Sequence, residues 1–344
     1  MTVASTVFIT SPLEPEHVER IRAVDPRIEV IFEPELLPET RYIADHKGKP
    51  ITRTGEALAR WQAGIARADI LWDLPAAEDL ARAERLRWVQ TTSTGVGQAV
   101  ARLGLREKGV IVTTARGVHA RPLAEFVFMA LLAHFRGLRH LEEEQRARRW
   151  ERVCNEEIAG RTLVLLGAGD LARGCARVAK ALDMRVVAVA RDAGKPRAQA
   201  ELFDAVMPVA QLHEALAAAD AFVVTVPHTA ETEGLVDAAA FAAMRPGIAF
   251  VNIGRGQVVD EAALIAALRE GRVGYAALDV ALVEPLPAES PLWSMPNVLI
   301  SPHSASTVRG ENARITEVFC GNLRCWLDGR PEAMRNRLDP ALLY

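Results

Sequence analysis

Cysteine is scarce in this chain, and its four residues are placed so that none forms a Cys-x-x-Cys pair. Cys154, Cys175, Cys320 and Cys325 also have no histidine cluster at metal-ligand spacing, so neither a disulfide framework nor a metal site is expected. A surplus of positive charge is missing too. The formal net charge of −3 removes the electrostatic case for nucleic acid or an anionic membrane as a general partner. The one basic run, Arg146 to Arg152 around Trp150, reads as a solvated helix end. No apolar run reaches membrane-spanning length, and no basic, apolar leader opens the chain. Repeats of solenoid period and low-complexity tracts are absent as well. The expectation is a reduced, cytoplasmic, globular protein.

What is present is an alternation of short apolar runs with amphipathic stretches. Residues 7–10 and 28–32 read as strands, with a helix over 14–23 between them. Helices near 55–67 and 77–85 and strands at 69–72 and 86–90 continue the rhythm. Such alternation implies parallel sheets covered on both faces. The segment 37–53 breaks the pattern with two prolines, Gly48 and mixed charge, and is long for a connection. One long helix is expected from Pro122 to about Gln145. Its first half is apolar almost all round, which implies burial on more than one side and a partner surface. A second alternation starts at Thr162, with further strands near 185–190, 206–207, 221–226, 248–253, 274–279 and 298–300, then a last helix near 308–327. At 344 residues the chain is long for a single core, so two α/β domains are predicted.

Leu163-Val164-Leu165-Leu166 runs into Gly167-Ala168-Gly169-Asp170-Leu171-Ala172, a strand followed by a Gly-x-Gly-x-x-Ala turn and a helix. Gly167 permits the tight turn and Gly169 lets backbone approach a pyrophosphate, which would meet the amides of Asp170 and Leu171 at the helix N-terminus. The motif alone is weak, but the flanking strand and helix supply the context that a dinucleotide site requires. A second strand ends roughly twenty residues on, where an NAD site usually carries an acid for the ribose 2′-hydroxyl. Here Arg191 occupies that place and Asp192 falls late. An arginine there suits a 2′-phosphate, so NADP(H) is favoured over NAD(H). The alternative is an Arg191 that is merely exposed, with Asp192 swinging in.

Three later segments each offer one catalytic type. Val251-Asn252-Ile253-Gly254-Arg255-Gly256 supplies a permanent cation, Leu278-Asp279-Val280 through Glu284-Pro285 a carboxylate, and Ser301-Pro302-His303 an imidazole. Singly, each has a bland reading: a strand end, a turn, a loop histidine. Their order at the ends of successive strands beyond a cofactor turn points to one site, because ligands of open α/β sheets bind at those ends.

Together with Pro227-His228-Thr229, Thr232 and the tail Leu338-Asp339-Pro340 with Tyr344, these segments resemble the D-isomer-specific 2-hydroxyacid dehydrogenases along nearly the full chain. The glyoxylate/hydroxypyruvate reductase-like branch is the most similar. The resemblance implies a Rossmann cofactor domain, 118–305, inserted into a flavodoxin-like substrate domain, 1–117 and 306–344. Both are doubly wound parallel sheets. It implies reduction of a small 2-oxo acid to the D-2-hydroxy acid by hydride from a nicotinamide cofactor. Arg255 would bind the substrate carboxylate, His303 would be the general acid, and Glu284 would hold the imidazole and stabilise its protonated form. Thr94, Gly95 and Val96 match the loop whose amides take the substrate carboxylate. By the same match Ile253, Gly254, Asp279 and Ala305 lie on the nicotinamide side, and Val226, Pro227 and Thr232 along the rest of the cofactor. Domain closure over the substrate and a homodimer are further implications. Ala281-Leu282-Val283 departs from the aromatic and acidic residues common in relatives, and Trp293 is either a bulky pocket rim or core. Competing readings are formate or phosphite oxidation and a nucleotide-sensing corepressor on the same scaffold. Formate dehydrogenases pair their histidine with glutamine, so Glu284 argues against formate.

Overall fold

The computed structural model describes residues 5–195 and 198–339, so Pro340 and Tyr344 of the tail motif lie outside the described residues. The chain divides into two compact units, Met1–Val118 with Thr307–Tyr344, and His119–Ser306.

The first unit is built on five parallel strands, β1 (Ser5–Ile9), β2 (Ile28–Ile31), β3 (Ile70–Trp72), β4 (Trp88–Gln90) and β5 (Ile111–Thr113), in the order β2-β1-β3-β4-β5. That order is the flavodoxin arrangement. The C-terminal helix Glu311–Leu327 returns to this sheet because Phe319 is fully buried on it. Its ring stacks on Trp88 at 5.0 Å and meets Trp72 edge-on at 5.4 Å. Burial of such a side chain contributes roughly 1.5–3 kcal/mol.

The segment 37–53 is organised by a buried carboxylate. Asp45 accepts hydrogen bonds from the backbone amides of Arg41, Lys47 and Gly48, and from the Arg41 guanidinium at 2.7 Å. The Arg41 side chain, helped by those amides, holds the Asp45 carboxyl well below the usual range. Next to it, His46 Nε2 lies 3.2 Å from Glu311 Oε1, with the side chains only 13% and 7% exposed.

The second unit carries seven parallel strands, β6 (Thr162–Leu166), β7 (Arg185–Ala190), β8 (Ala205–Pro208), β9 (Ala221–Val224), β10 (Ile248–Asn252), β11 (Val273–Leu278) and β12 (Val298–Ile300). Their order is β12-β11-β10-β9-β6-β7-β8. This is the Rossmann order with one strand added, and its direction reverses between β6 and β9. Side chains alternate between two cores. Val164, Leu166, Phe222, Val224 and Phe250 face one, and Leu163, Leu165, Val223 and Val251 the other. The strands end level: Leu166 pairs with Val224, Val224 with Asn252, Asn252 with Leu278, and Leu278 with Ile300.

Three helical expectations are corrected. The stretch 122–145 is two helices, Ala120–Phe135 and Leu138–Arg146, broken at Gly137 in the left-handed region (φ 63). A Cβ there would lie 2.6 Å from Asn155 Oδ1, so the glycine is a space requirement as well as a stop. The helix expected over 77–85 covers only Ala77–Leu80, and the last helix starts at Glu311 instead of near 308. No helix among the described residues is long and apolar enough to cross a membrane.

Candidate active site

The level strand ends bring the sequence motifs to one edge of the seven-stranded sheet. Gly167 follows β6 with φ 111, and a Cβ there would meet Thr225 Oγ1 at 2.6 Å. Gly169 caps the helix Asp170–Ala181, and the space above it is open for 4 Å. An exposed, bare backbone at the positive end of a twelve-residue helix fits a pyrophosphate. Asp170 in that first turn is matched by Arg173, which pairs with it at 2.5 Å and donates to the Ala168 carbonyl at 3.3 Å. Ala172 is fully buried. Two residues later the same helix closely approaches another helix at Gly174, where a Cβ would lie 2.8 Å from the Ala120 carbonyl. Leu171 is half-buried in the same first turn.

Arg191 is the first residue past β7 and Asp192 beside it is exposed. Arg191 is itself largely exposed, and its Nη1 pairs with Glu231 Oε2 at 2.8 Å. The loop beyond β9 carries exposed Pro227 and half-buried Val226 and Thr232. Thr232 Oγ1 donates to the Pro227 carbonyl at 2.7 Å and accepts from the Thr229 amide at 2.8 Å.

Beyond β10, buried Asn252 clips the next turn: its Oδ1 accepts from the Gly254 amide at 3.0 Å and its Nδ2 donates to the Arg255 carbonyl at 3.2 Å. Ile253 is buried, and a Cβ on Gly254 would come within 2.7 Å of the Val226 carbonyl. A Cβ on Gly256 would overlap the Ala281 carbonyl, so backbone meets backbone there. The half-buried Arg255 side chain donates from Nη1 to the Gly254 carbonyl at 2.7 Å. Among the described residues no carboxylate lies within ion-pair distance of it. Burial pulls its pKa down, opposed by the charges of Glu284 and Asp279. It stays cationic, since a guanidinium does not deprotonate in proteins.

Past β11, Asp279 is buried and organises the turn after β12. Its Oδ1 accepts from Ser301 Oγ at 2.7 Å and from the Ala305 amide at 2.9 Å, while its carbonyl accepts from the His303 amide at 2.9 Å. His303 sits in the left-handed region (φ 54), a conformation that costs a non-glycine residue on the order of 1 kcal/mol or more and concentrates at functional sites. Its Nδ1 is 2.8 Å from Glu284 Oε2, and Glu284 Oε1 accepts from the Ala281 amide at 3.1 Å. With Nδ1 engaged, Nε2 has no protein partner among the described residues. Trp293 is 53% exposed and donates from Nε1 to the Pro287 carbonyl, so it is not core.

In the first unit, Thr94 and Gly95 are exposed and Val96 is buried, in the loop after β4. Thr92 Oγ1 bonds Asp73 at 2.8 Å and Thr91 Oγ1 bonds the Ser93 carbonyl at 2.7 Å, which fixes the loop's base.

Several residues outside the sequence-predicted set shape the site. Asn252, Gly256 and Ser301 hold its turns, and Glu261 and Gln257 clamp Leu282, accepting from its amide at 3.1 Å and donating to its carbonyl at 3.3 Å. A buried polar residue at a strand end was the available signal for Asn252. Nothing local pointed to Glu231 or Glu261.

Comparison with known proteins gives the chain a family. Residues 128–305 match the model of the D-isomer specific 2-hydroxyacid dehydrogenase, NAD binding domain. The chain is 30% identical over 341 residues to glyoxylate reductase of Thermococcus gammatolerans, covering 96% of each. It is 34% identical over 271 residues to glyoxylate/hydroxypyruvate reductase B of Pectobacterium carotovorum, covering 77% of this chain and 82% of that one. A D-isomer specific 2-hydroxyacid dehydrogenase from Xanthobacter autotrophicus Py2, solved in complex with NADPH and MES, superposes with a TM-score of 0.75 at 30% identity over 99% of both chains. With more than half its length matching the family model and nearly all of it aligned to relatives, the chain belongs to the D-isomer specific 2-hydroxyacid dehydrogenases, enzymes that depend on a nicotinamide dinucleotide.

Proposed function

We propose that this enzyme reduces a small 2-oxo acid of the glyoxylate or hydroxypyruvate type to the D-2-hydroxy acid, with NADPH as the favoured reductant and NADH as the alternative. The observation that carries the reading is one edge of one sheet. It presents a half-buried guanidinium without an ion pair and, two strands away, an imidazole oriented by a carboxylate at 2.8 Å. Two strand spacings amount to roughly 10 Å, a span suited to a molecule of a few heavy atoms.

The cofactor supplies the hydride when bound. The chain's own residues do the rest. Arg255 binds the substrate carboxylate, and its planar fork draws charge from the neighbouring carbonyl oxygen. His303 Nε2 protonates the carbonyl oxygen as charge develops there, and Glu284 keeps Nδ1 hydrogen-bonded so that the donor form is available. Asp279 acts on the His303 turn, holding the imidazole where the Ser301–Ala305 segment places it. Gly167, Gly169 and the amides of Asp170 and Leu171 cradle the pyrophosphate. Ile253, Gly254 and Ala305 border the nicotinamide, and Val226, Pro227 and Thr232 the adenosine half. Arg191 receives the 2′-phosphate, a reading supported by the NADPH bound to the similar Xanthobacter structure.

Absorbance of NADPH and of NADH, followed with glyoxylate, hydroxypyruvate, pyruvate and bulkier 2-oxo acids, tests both halves of the proposal. Turnover should be greatest on the small acids and kcat/KM higher with NADPH. Silence on every 2-oxo acid, or oxidation of formate or phosphite instead, overturns the substrate reading; higher kcat/KM with NADH overturns the cofactor preference.

A homodimer is part of the same proposal. Met129, Leu132, Leu138 and Leu141 are exposed on two successive helices, followed by a wholly exposed Trp150 and by Val153. Such apolar side chains gain by being covered. Light scattering at micromolar concentration should give twice the chain mass; a monomer would contradict it.

A further inference from the structure

We infer that Glu231 is a selectivity residue of the cofactor crevice: it forms an ion pair with Arg191 that a cofactor 2′-phosphate must displace. The inference rests on the NADPH reading above and deepens it. Topology gives the pair its meaning. Arg191 stands directly past the end of β7, and Glu231 lies in the loop past β9. β6, with the Gly167 turn at its end, runs between those two strands. A contact of 2.8 Å between Arg191 Nη1 and Glu231 Oε2 therefore bridges from one flank of the glycine turn to the other.

Glu231 is held at a defined place by the bonds around it. The Thr229 amide donates to Thr232 Oγ1 at 2.8 Å, Thr232 Oγ1 donates to the Pro227 carbonyl at 2.7 Å, and the Glu233 amide donates to the Thr229 carbonyl at 2.9 Å. Both members of the pair are mostly exposed, at 61% and 65%. Exposed pairs are weak and exchange readily, whereas a guanidinium binds a phosphate by two parallel, charge-assisted bonds. The carboxylate can thus be replaced, but its replacement subtracts from affinity. That subtraction applies to NADPH alone, because NADH has no 2′-phosphate to offer Arg191. Glu231 accordingly narrows the preference between the two cofactors, and its charge is the lever.

Calorimetric titration of the protein with NADPH, NADH and the fragment 2′,5′-ADP tests this without turnover. E231Q keeps the loop's size and removes the charge. It should tighten NADPH and 2′,5′-ADP about three- to fivefold, the range that an exposed ion pair allows, and leave NADH unchanged. R191A should weaken both phosphate-bearing ligands, and in the double variant the gain from E231Q should vanish. If R191A weakens NADPH while E231Q leaves it unchanged or weaker, the displaced pair is overturned and the NADPH reading stands. If the protein binds NADH more tightly than NADPH and R191A alters neither, the NADPH reading itself fails and takes the inference with it.

Discussion

Of the histidine–glutamate contacts among the described residues, the two shortest lie in opposite settings. His303 and Glu284 meet at 2.8 Å with 46% and 39% of their side chains exposed. His46 and Glu311 meet at 3.2 Å with 13% and 7% exposed. The second joins the 41–50 loop to the first turn of the C-terminal helix, where a lost partner would leave a buried polar group behind. The first lies in water's reach, where such a pair contributes about 0–1 kcal/mol. Yet it is mounted on a left-handed histidine and braced by the buried Asp279. A weak contact on a strained, braced turn is poorly explained by stability, which is the ground for the proton-transfer role proposed for His303. Setting, more than residue type, separates the two.

The largest expected effect breaks the exposed pair at the imidazole. His303→Asn should lower kcat by about 10³-fold, within the range for loss of a general acid, while the calorimetric Kd for NADPH stays within twofold. Unchanged kcat would remove His303 from the acid role. A matched substitution then sharpens the comparison. Glu284→Gln preserves an acceptor for Nδ1 but not the charge opposite an imidazolium, so kcat should fall by roughly tenfold to a hundredfold with little change in Tm. Glu311→Gln, the same change at the buried pair, should act on stability, at about 2 kcal/mol or roughly 4–8 °C in Tm. Equal Tm losses from the two variants would erase the distinction drawn between the pairs.

Much of the scaffold was legible because strands buried on both faces are continuous apolar runs, as in Leu163–Leu166 and Phe222–Val224. The site motifs were legible for a related reason: parallel strands that end level put their following loops side by side. Short elements escaped. The helix Ala238–Ala243, mostly alanine, has too little contrast between its faces to show a period. The long helix was misread at Gly137, since an isolated glycine in a helical pattern is often tolerated. Partnerships across distance left no local trace. His46 lies 265 residues from Glu311, and Arg191 lies 40 from Glu231. Gly174 escaped because its requirement comes from the Ala120 backbone on a neighbouring helix.

The contact between Gly256 and Ala281 has a mechanical consequence. Backbone touching backbone leaves no side chain to act as a compliant spacer, so the turn bearing Arg255 and the loop bearing Glu284 are geared together. Displacing one therefore displaces the other, which keeps Arg255 and Glu284 in register. The gearing also makes the position intolerant. Even a methyl group at 256 would wedge the two apart, so drift in this part of the chain has to proceed around a fixed glycine.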